Sequence, residues 1–414
     1  MAVDVVRESA QAGRVVLWEE SPRDGAQAKT LMTADFRVRL ARAQGEVFGG
    51  AGPRHVVFAA GFPAVCREEF EAVRKVAVEA EGSVSVSAVC RGTPGDVRQA
   101  LAAVRGSTHA RIMVIVPASE AMARVMTHTS AEQALTAGAV LVAQARETDG
   151  SVAVDVCLAD ASRADHALVA EHAARMTAAG AGEVVLADTV GDQLPEEAAA
   201  MFTHVRRFAG EEAVLASHLH NDLGLALANT LQAVRAGIRV LSASWLGIAE
   251  CSGMVATEQL LFLLAYHPER TRVLLGDDRA PWWTAPGLSL LPGIARMVAT
   301  ETGAPLGVTT PIVGDGVATI STGTPFVHPR LFEPYDPAEL LGIEPRVVLT
   351  HLASTRVITA VAARLGHQLD ANQARTAADW VKSRAYGQGH AVVDEPDFAD
   401  YLRGLTVPVA RAAR

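Results

Sequence analysis

Short runs of β-branched and apolar residues alternate with alanine-rich segments of helical period from about residue 15 to residue 266. This alternation is typical of repeated βα units, because neighbouring parallel strands need a helical crossover between them. Helix-length segments such as DHALVAEHAARMTAAG separate the runs and end in the glycine expected just past a helix. Eight strand candidates can be counted, beginning at Val15, His55, Val84, Ala110, Val152, Glu183, Ala213 and Arg239.

Eight consecutive units favour a closed barrel over an open doubly wound sheet, and no GxGxxG motif follows the first strand to indicate a dinucleotide fold. The sequence therefore predicts an α/β protein in two parts. A (β/α)₈ TIM barrel is expected over residues 1–275, followed by a smaller, mainly helical C-terminal region over residues 276–414. Within that region, helices are predicted for LLPGIARMVATETG, LDANQARTAADWVKSRAYGQG and DFADYLRG.

Composition narrows the possible function classes. No apolar run approaches the roughly 20 residues needed to span a bilayer, so no membrane role is expected. The net charge of −9 comes without a lysine or arginine cluster, which argues against nucleic-acid partners. The start of the chain lacks the basic and apolar regions of a signal peptide, so a cytoplasmic location is expected. No two cysteines form a close pair, which argues against a structural zinc site, and most are expected in the core: Cys66, Cys90, Cys157 and Cys251.

Polar residues follow the predicted strands at the barrel end that carries active sites. Strand one runs into ESPRDGAQ, strand six ends in DT, and strand seven ends in HLHND. Because alternate residues of a strand point to the same side, His218 and His220 can face one ion. Together with Asp24 they leave positions open for water and substrate on Mg²⁺, Mn²⁺, Co²⁺ or Zn²⁺. The sequence thus predicts a catalytic divalent metal.

Such an ion can chelate a 2-oxo acid and polarise its carbonyl, and Arg23 would add a fixed positive charge beside the oxygen. Simpler explanations exist for each motif, since an isolated HxH is more often a hydrogen-bonded pair and RDG alone is a common turn. Their coincidence on strands one and seven favours the metal. Asp188 and Thr189 either cap the next helix or contact substrate, and for Asn221 and Asp222 capping is favoured.

Several segments resemble the motifs of the DRE-TIM metallolyases, a group that includes isopropylmalate, homocitrate and citramalate synthases and hydroxymethylglutaryl-CoA lyase. In these synthases the metal binds the 2-oxo acid, acetyl-CoA loses a methyl proton, and the enolate attacks the oxo carbon before thioester hydrolysis. PIVGDG, LFEPYDPAELLGI and the closing helices resemble the C-terminal subdomains of homocitrate synthase. The barrel motifs are SPRDGAQ, AAGFPA, LADASRAD, LADTVGD, HLHNDLGLALANTLQAVRAG and LGIAECSG.

The resemblance implies roles for individual residues by matching positions. Members commonly pair as dimers in which the appended subdomain of one chain covers the barrel mouth of the other. A homodimer is therefore expected, with Ser321 and His351 as candidates for reaching the partner's site. The implied residues of the barrel are Asp24, His218 and His220 as metal ligands, Arg23 as catalytic stabiliser and substrate contact, Thr189 as carboxylate contact, and Gln27 and Arg163 close by.

Four departures from the family pattern bear on activity. Ala59 and Ala159 stand where the synthases usually carry glutamates, Met254 replaces a metal-side asparagine, and Ser321 replaces a histidine of the appended subdomain. Each change removes a group used for proton transfer or positioning. The catalytic base is therefore left open among Glu250, Cys251, His328 and His351.

Two of these candidates have a simpler interpretation. Glu250 matches a glutamate of the synthases' GERAG motif, for which catalytic and structural roles are equally open. Cys251 lies near the position of a reactive cysteine loop in the lyase, but a small buried core cysteine is the favoured interpretation.

Taken together, the sequence predicts an acyltransferase of the homocitrate or isopropylmalate synthase type. It would condense an acyl-CoA, with acetyl-CoA as the first candidate, with a small 2-oxo acid. The alternative is a metal-dependent carbon–carbon lyase or aldolase acting on a hydroxy acid, suggested by the SPRDG segment and the lost glutamates. A third hypothesis, a decayed paralogue that binds metal or regulates a partner, fits poorly with retention of all three ligands and Arg23. The oxo acid, the metal and the direction of reaction stay open.

Overall fold

In the computed structural model, which describes residues 3–406, eight parallel strands close into a barrel. The strands follow one another in chain order around the barrel, and the last pairs with the first, with Val16 opposite Val240. The TIM-barrel prediction is therefore confirmed. The strands are β1 (Val16–Glu19), β2 (Val56–Gly61), β3 (Ser85–Arg91), β4 (Arg111–Pro117), β5 (Ala153–Ala159), β6 (Val184–Asp188), β7 (Leu215–Leu219) and β8 (Val240–Ala243).

Helices connect consecutive strands, and most of them start at a side chain that accepts hydrogen bonds from the first turn. Thr33, Thr93, Ser130 and Asp165 each satisfy at least one free backbone N–H group in this way. The helices of the barrel are α1 (Val5–Gln11), α2 (Ala34–Glu46), α3 (Gly52–His55), α4 (Arg67–Glu79), α5 (Pro94–Val104), α6 (Glu120–Met126), α7 (Ala131–Thr148), α8 (His166–Ala178), α9 (Pro195–Phe208), α10 (Ala226–Arg235), α11 (Thr257–Ala265), α12 (Pro268–Leu275) and α13 (Leu291–Thr302).

Side chains from alternating strand positions fill the barrel interior. Trp18, Val57, Met113 and Val185 belong to one buried cluster that includes residues from all eight strands. Val6 of α1 joins the same cluster, so this helix, which the sequence did not predict, packs against the interior. A filled interior leaves no channel, and the chemistry of such a barrel is confined to its C-terminal end.

A buried charge cluster lies at the opposite, N-terminal end. Arg111, the first residue of β4, donates from Nε to Asp155 Oδ2 (2.9 Å) and also contacts Asp4 and Glu183. Asp4 caps α1, so this cluster fastens the helix to the barrel. Burial raises the pKa of Asp155 to about 7, although the Arg111 guanidinium opposes this rise. The network therefore holds charged groups in the protein interior, where removing a charge from water carries a large free-energy penalty.

Replacing Arg111 by methionine is expected to lower the free energy of unfolding by about 3–5 kcal/mol, because the substitution strands buried carboxylates without their cation. Urea unfolding followed by circular dichroism would measure the loss. Arg67→Ala is the matched control: it breaks an exposed ion pair with Glu71, and no measurable change is expected. Equal stability of the Arg111 variant and the wild type would contradict a structural role for the cluster.

The chain divides between Leu306 and Gly307 into two compact units. The division lies later than the boundary expected near residue 275, because α13 packs against α2 and buries Leu291, Ile294 and Val298. Helix α13 matches the helix predicted for LLPGIARMVATETG. Within residues 3–406, no helix combines the length and the apolar character that crossing a bilayer requires.

The second unit is mainly helical and has a core of its own. Val357, Val361, Val381 and Phe398 are buried together in that core. Two short strand pairs accompany the helices, one parallel and one antiparallel. Its elements are β9 (Thr319–Ile320), α14 (Gly323–Val327), α15 (Pro337–Leu341), β10 (Arg346–Val347), β11 (Leu349–Thr350), α16 (Thr355–Arg364), α17 (Ala371–Gln388), β12 (Val392–Val393) and α18 (Glu395–Thr406).

Candidate metal centre

Three buried side chains converge at the C-terminal end of the barrel. Asp24 Oδ2 lies 3.2 Å from His218 Nε2 and 3.5 Å from His220 Nε2. The two histidine Nε2 atoms are 3.2 Å apart. All three side chains are at most 5% exposed. The structure thus brings together the three residues that the sequence predicts as metal ligands.

Local backbone contacts explain this convergence. The Glu20 amide donates to Ala243 O (2.8 Å), which extends the pairing of β1 with β8 beyond the strand. The chain then turns tightly, since the Arg23 and Asp24 amides both donate to Glu20 O (3.0 and 2.8 Å). This turn directs Asp24 back over the barrel toward the end of β7, where the histidines lie.

The donor set and its spacing fit a divalent cation. An ion about 2.0–2.2 Å from three ligand atoms, at angles of about 90–110°, requires those atoms to be about 3.0–3.5 Å apart. The three observed separations fall in this interval. Two imidazoles and one carboxylate suit Zn²⁺, Mn²⁺ and Co²⁺ and leave room for oxygen ligands from substrate. Asp24, His218 and His220 therefore form a possible metal-binding triad.

Arg23 forms the positive side of the site. Its Nε donates to Glu20 Oε2 (2.8 Å), and another guanidinium nitrogen lies 3.2 Å from Asp24 Oδ2. Burial alone would raise the pKa of Asp24, but Arg23 and the two histidines together hold it well below its usual range. The carboxylate is thus ionised and ready to bind a cation at neutral pH.

Gln27 and Glu250 extend the same cluster. Gln27 Oε1 accepts from Arg23 (3.2 Å), and Gln27 Nε2 donates to Glu250 Oε2 (2.9 Å). The Glu250 backbone N–H donates to Asp24 Oδ1 (3.0 Å). The loop after β8 is therefore tied to the turn after β1. Glu250 lies within the cluster, while its catalytic role stays a prediction.

Arg163 and Thr189 belong to a second cluster, at the ends of β5 and β6. Asp160 binds the Arg163 guanidinium with both carboxylate oxygens (2.7 and 3.0 Å). The Asp160 backbone N–H donates to Thr189 Oγ1 (2.9 Å). Asp160 has a left-handed backbone (φ 63°), which aspartate tolerates better than most residues. The sequence analysis did not single out Asp160, although it stands within the quoted LADASRAD segment.

The helix-capping alternatives are settled by the same contacts. Helix α9 begins after Leu194, so neither Asp188 nor Thr189 caps it. Asp188 instead accepts from the Gln193 backbone N–H (3.2 Å). The N-cap residue of α10 is Leu225 rather than Asn221 or Asp222, although Asn221 Oδ1 accepts from the N–H of Ala226, the first residue of this helix (3.1 Å).

The four departures are found in different surroundings. Ala59 is fully buried in the barrel interior, and Ala159 is 8% exposed at the end of β5. Met254 is buried and forms an isolated antiparallel bridge with His220, so its backbone lies directly beside this candidate metal ligand. Ser321 lies in the second unit, half-buried, at the end of the short strand β9.

The remaining base candidates are distributed over both units. Cys251 is exposed, so the interpretation as a buried core cysteine is wrong. It lies in the loop after β8 and has a left-handed backbone itself, with φ 54°. Cys66 is also exposed, whereas Cys90 and Cys157 are buried as expected. His351 belongs to the second unit, where its ring packs edge-on against Tyr386, and its role stays a prediction.

Glu258 supports the loop that carries Glu250. Its carboxylate is fully buried and accepts from the backbone N–H of Leu246 (3.0 Å), a residue with φ 58°. Burial raises the pKa of Glu258 to about 7, above its ordinary value of 4.5. Between about pH 4.5 and pH 7, the Glu258 carboxyl therefore keeps its proton in the folded chain, whereas in the unfolded chain it has already lost it. This group favours folding at low pH, and its contribution is lost as the pH rises through 7.

Glu258→Gln is expected to raise the free energy of unfolding at pH 8, on the order of 3 kcal/mol at most, because the neutral amide avoids burying a charge. The amide oxygen can still accept from Leu246. At pH 5 the gain is expected to be far smaller, since the native glutamate is already protonated there. Urea unfolding at both pH values measures the difference. The same gain at pH 5 and pH 8 would contradict the raised pKa.

Comparison with known proteins places these features in a family. The HMGL-like family model matches residues 14–277. The 2-isopropylmalate synthase of Nitrobacter winogradskyi is 31% identical over 304 residues, which are 73% of this chain and 55% of that protein. The corresponding synthase of Solidesulfovibrio magneticus is 33% identical over 267 residues, 64% of this chain and 50% of its own length. The chain thus spans about half the length of these curated relatives.

Solved structures show the same fold. The HMG-CoA lyase of Brucella melitensis superimposes with a TM-score of 0.56 at 21% identity, covering 70% of this chain and 99% of the lyase. The covered share of this chain is close to the share that the barrel unit takes up, so the similarity concerns the barrel fold. Because the family model matches well over half of the chain and includes the strand ends that carry Asp24, His218 and His220, the chain belongs to the HMGL-like family, as its resemblance to the DRE-TIM metallolyases predicts.

Proposed function

We propose that this chain is a metal-dependent acyltransferase that condenses an acyl-CoA, with acetyl-CoA as the first candidate, with a small 2-oxo acid. The observation that carries the proposal is the buried triad of Asp24, His218 and His220 with Arg23 beside it. Similarity to 2-isopropylmalate synthases over most of the barrel supports this reaction. The product would be a 2-hydroxy-dicarboxylate.

The residues at the C-terminal end of the barrel form two groups, one that acts on the 2-oxo group of the substrate and one near its carboxylate. A divalent ion, when bound by the triad, supplies Lewis-acid polarisation of the 2-oxo carbonyl. Arg23 donates hydrogen bonds to the oxo oxygen as it gains charge, and its own position is fixed by Glu20 and Asp24. Thr189 would contact the substrate carboxylate, since its Oγ1 accepts from the Asp160 N–H and its own hydroxyl proton stays available. Arg163, which is held by Asp160, would lie close by.

Proton transfer is assigned to Glu250 and His351 as candidates. Glu250 is held beside Arg23 through Gln27, which also lines the substrate site. An acid–base group must lie within hydrogen-bond reach of the proton that it moves, and the Glu250 loop borders the cluster directly. His351 would act as the second group. We further propose a cytoplasmic homodimer, for which light scattering after size-exclusion chromatography is the test.

The deciding experiment is a thiol-release assay with acetyl-CoA, Mg²⁺ or Mn²⁺, and a panel of 2-oxo acids that includes 2-oxoglutarate, oxaloacetate, pyruvate and phosphonopyruvate. Metal-dependent release with one member of the panel is the expected result. Extending the panel to propionyl-CoA and butyryl-CoA tests the acyl donor. Silence across all donors and acceptors would overturn the proposal.

A carbon–carbon lyase is the second candidate. The observation that favours it is the pair of alanines, Ala59 within β2 and Ala159 at the end of β5, where neither side chain can transfer a proton. A lyase needs no thioester hydrolysis, so it would cleave a hydroxy-acid substrate with no release of free thiol. Product analysis by mass spectrometry in the same assay separates the two reactions.

A further inference from the structure

Glu20 is a buried carboxylate that the proposed reaction uses only as a support for Arg23. It follows β1 directly, and its side chain has no exposed surface. One oxygen, Oε2, accepts from Arg23 Nε at 2.8 Å. The other oxygen, Oε1, has no hydrogen bond of ordinary geometry among the described residues. A fully buried oxygen without such a bond destabilises the folded state, so the atoms around Oε1 must be identified.

The Oε1 atom of Glu20 faces the metal ligand His218. It lies 3.5 Å from His218 Nδ1, which is an ion-pair distance somewhat longer than an ordinary hydrogen bond. His218 Nδ1 is likewise buried and, within residues 3–406, makes no other hydrogen bond. The opposite ring nitrogen, Nε2, is the atom that lies 3.2 Å from Asp24 Oδ2 and 3.2 Å from His220 Nε2. The imidazole is therefore placed between two carboxylates, with one nitrogen toward each.

We propose that Glu20 is the positioning residue of the metal centre, holding His218 with its Nδ1–H toward the carboxylate and its Nε2 lone pair toward the ion. Histidines that bind metals almost always donate their other N–H to a carboxylate, carbonyl or water, which fixes the ring orientation and tautomer. Glu20 supplies that acceptor here. The inference rests on the proposed metal site and adds to it a residue that the sequence analysis did not single out.

The charge of Glu20 is required by its two contacts. Arg23 and His218 are both donors, and they approach different oxygens of the same carboxylate. A glutamine at this position has only one oxygen, and its NH₂ group would face a donor on the other side. One of the two contacts is therefore lost in Glu20→Gln even though the side-chain volume is unchanged.

Glu19 provides a matched control on the same strand. It is equally buried, and alternation along the strand turns it to the other face, where it accepts from Ser21 (2.9 Å, backbone N–H) and Thr257 (2.7 Å). Its side-chain hydrogen bonds among the described residues do not involve Asp24, His218 or Arg23. A hydroxyl group can donate or accept, so Thr257 can adapt to a glutamine better than Arg23 can. Glu19→Gln thus measures the effect of exchanging a buried glutamate beside the site for its neutral isostere without touching the triad.

The test measures binding of Mn²⁺ to the full chain, with the free ion quantified by electron paramagnetic resonance. Glu20→Gln is expected to weaken Mn²⁺ binding about 10- to 100-fold, the range found when the partner of a metal-binding histidine is removed. Glu19→Gln is expected to change it less than twofold. Affinity of the Glu20 variant within twofold of the wild type, or an equal loss in the Glu19 variant, would overturn the assignment.

A spectroscopic measurement addresses folding artefacts and needs no substrate. In Zn²⁺-loaded protein labelled with ¹⁵N-histidine, the His218 Nδ1–H should give a downfield, slowly exchanging proton signal that His218→Asn identifies by its absence. Glu20→Gln should shift this signal upfield or broaden it by exchange, while Glu19→Gln leaves it in place. An unchanged signal in the Glu20 variant contradicts the proposal. Because neither measurement uses acyl-CoA or oxo acid, failure of the proposed reaction remains distinguishable from failure of this inference.

Discussion

His220→Ala is expected to abolish thiol release and to weaken Mn²⁺ binding by more than about 100-fold. Removing only the partner of a ligand already costs about 10- to 100-fold in affinity, and this change removes a ligand atom itself. The alanine also leaves Asp24 Oδ2 without one of the two imidazoles that surround it. Isothermal titration with Mn²⁺ and the thiol assay measure the two effects on the same preparation.

His172→Ala is the matched control for this prediction. His172 is a fully buried histidine of α8, outside the cluster at the strand ends. Its loss is expected to lower the urea midpoint while Mn²⁺ affinity stays within a factor of about two. If His220→Ala still bound Mn²⁺ as tightly as the wild type, the triad would not be the metal site. If the loss of Mn²⁺ affinity in His220→Ala merely followed a loss of stability in urea, the effect would reflect impaired folding and not removal of a ligand.

Arg23→Lys is expected to lower kcat for thiol release about 10²- to 10³-fold with a small change in the KM of the 2-oxo acid. A guanidinium can reach Glu20 and Asp24 and still donate to substrate, whereas an ammonium is a point charge without this planar fork. Loss of one donor that acts on the developing charge typically costs this much in rate, with little effect on ground-state binding. Initial rates at saturating Mn²⁺ are the measurement.

Arg37→Lys is the corresponding control. Arg37 is also buried and binds Glu69 through two nitrogens at 2.8 Å, but it joins α2 to α4. Its replacement should reduce stability and leave kcat within about threefold of the wild type. A kcat for Arg23→Lys within tenfold of the wild type, at full metal occupancy, would remove Arg23 from the reaction.

The sequence predicts those parts of the structure that depend on local pattern. The β-branched runs predict the strands because a strand buried on both faces needs mostly apolar residues, and β4 and β5 are buried over nearly their whole length. The HLH segment is also a local pattern, and it predicts that His218 and His220 point to one side, because side chains alternate along β7. The proximity of these histidines to Asp24 then follows from closure of the barrel, which brings the ends of β1 and β7 to the same rim.

Contacts between distant segments account for what the sequence did not show. Helix α1 is short, and contacts with distant segments, such as its packing on the barrel interior and the Asp4–Arg111 pair, show that it belongs to the barrel. The later division at Leu306 follows from the packing of α13 on α2. Glu20 was passed over because nothing in the ESPRDG segment shows that its side chain turns toward β7.

The two ends of the barrel are specialised differently, and this has an evolutionary consequence. Arg111 and its carboxylates anchor the fold at the end away from the metal centre, and the interior between the two ends is filled. Substitutions such as Ala159 and Met254 can therefore accumulate around the rim without loosening the anchoring network. A lineage with this arrangement can change the side chains around the rim in small steps, because each intermediate protein still folds.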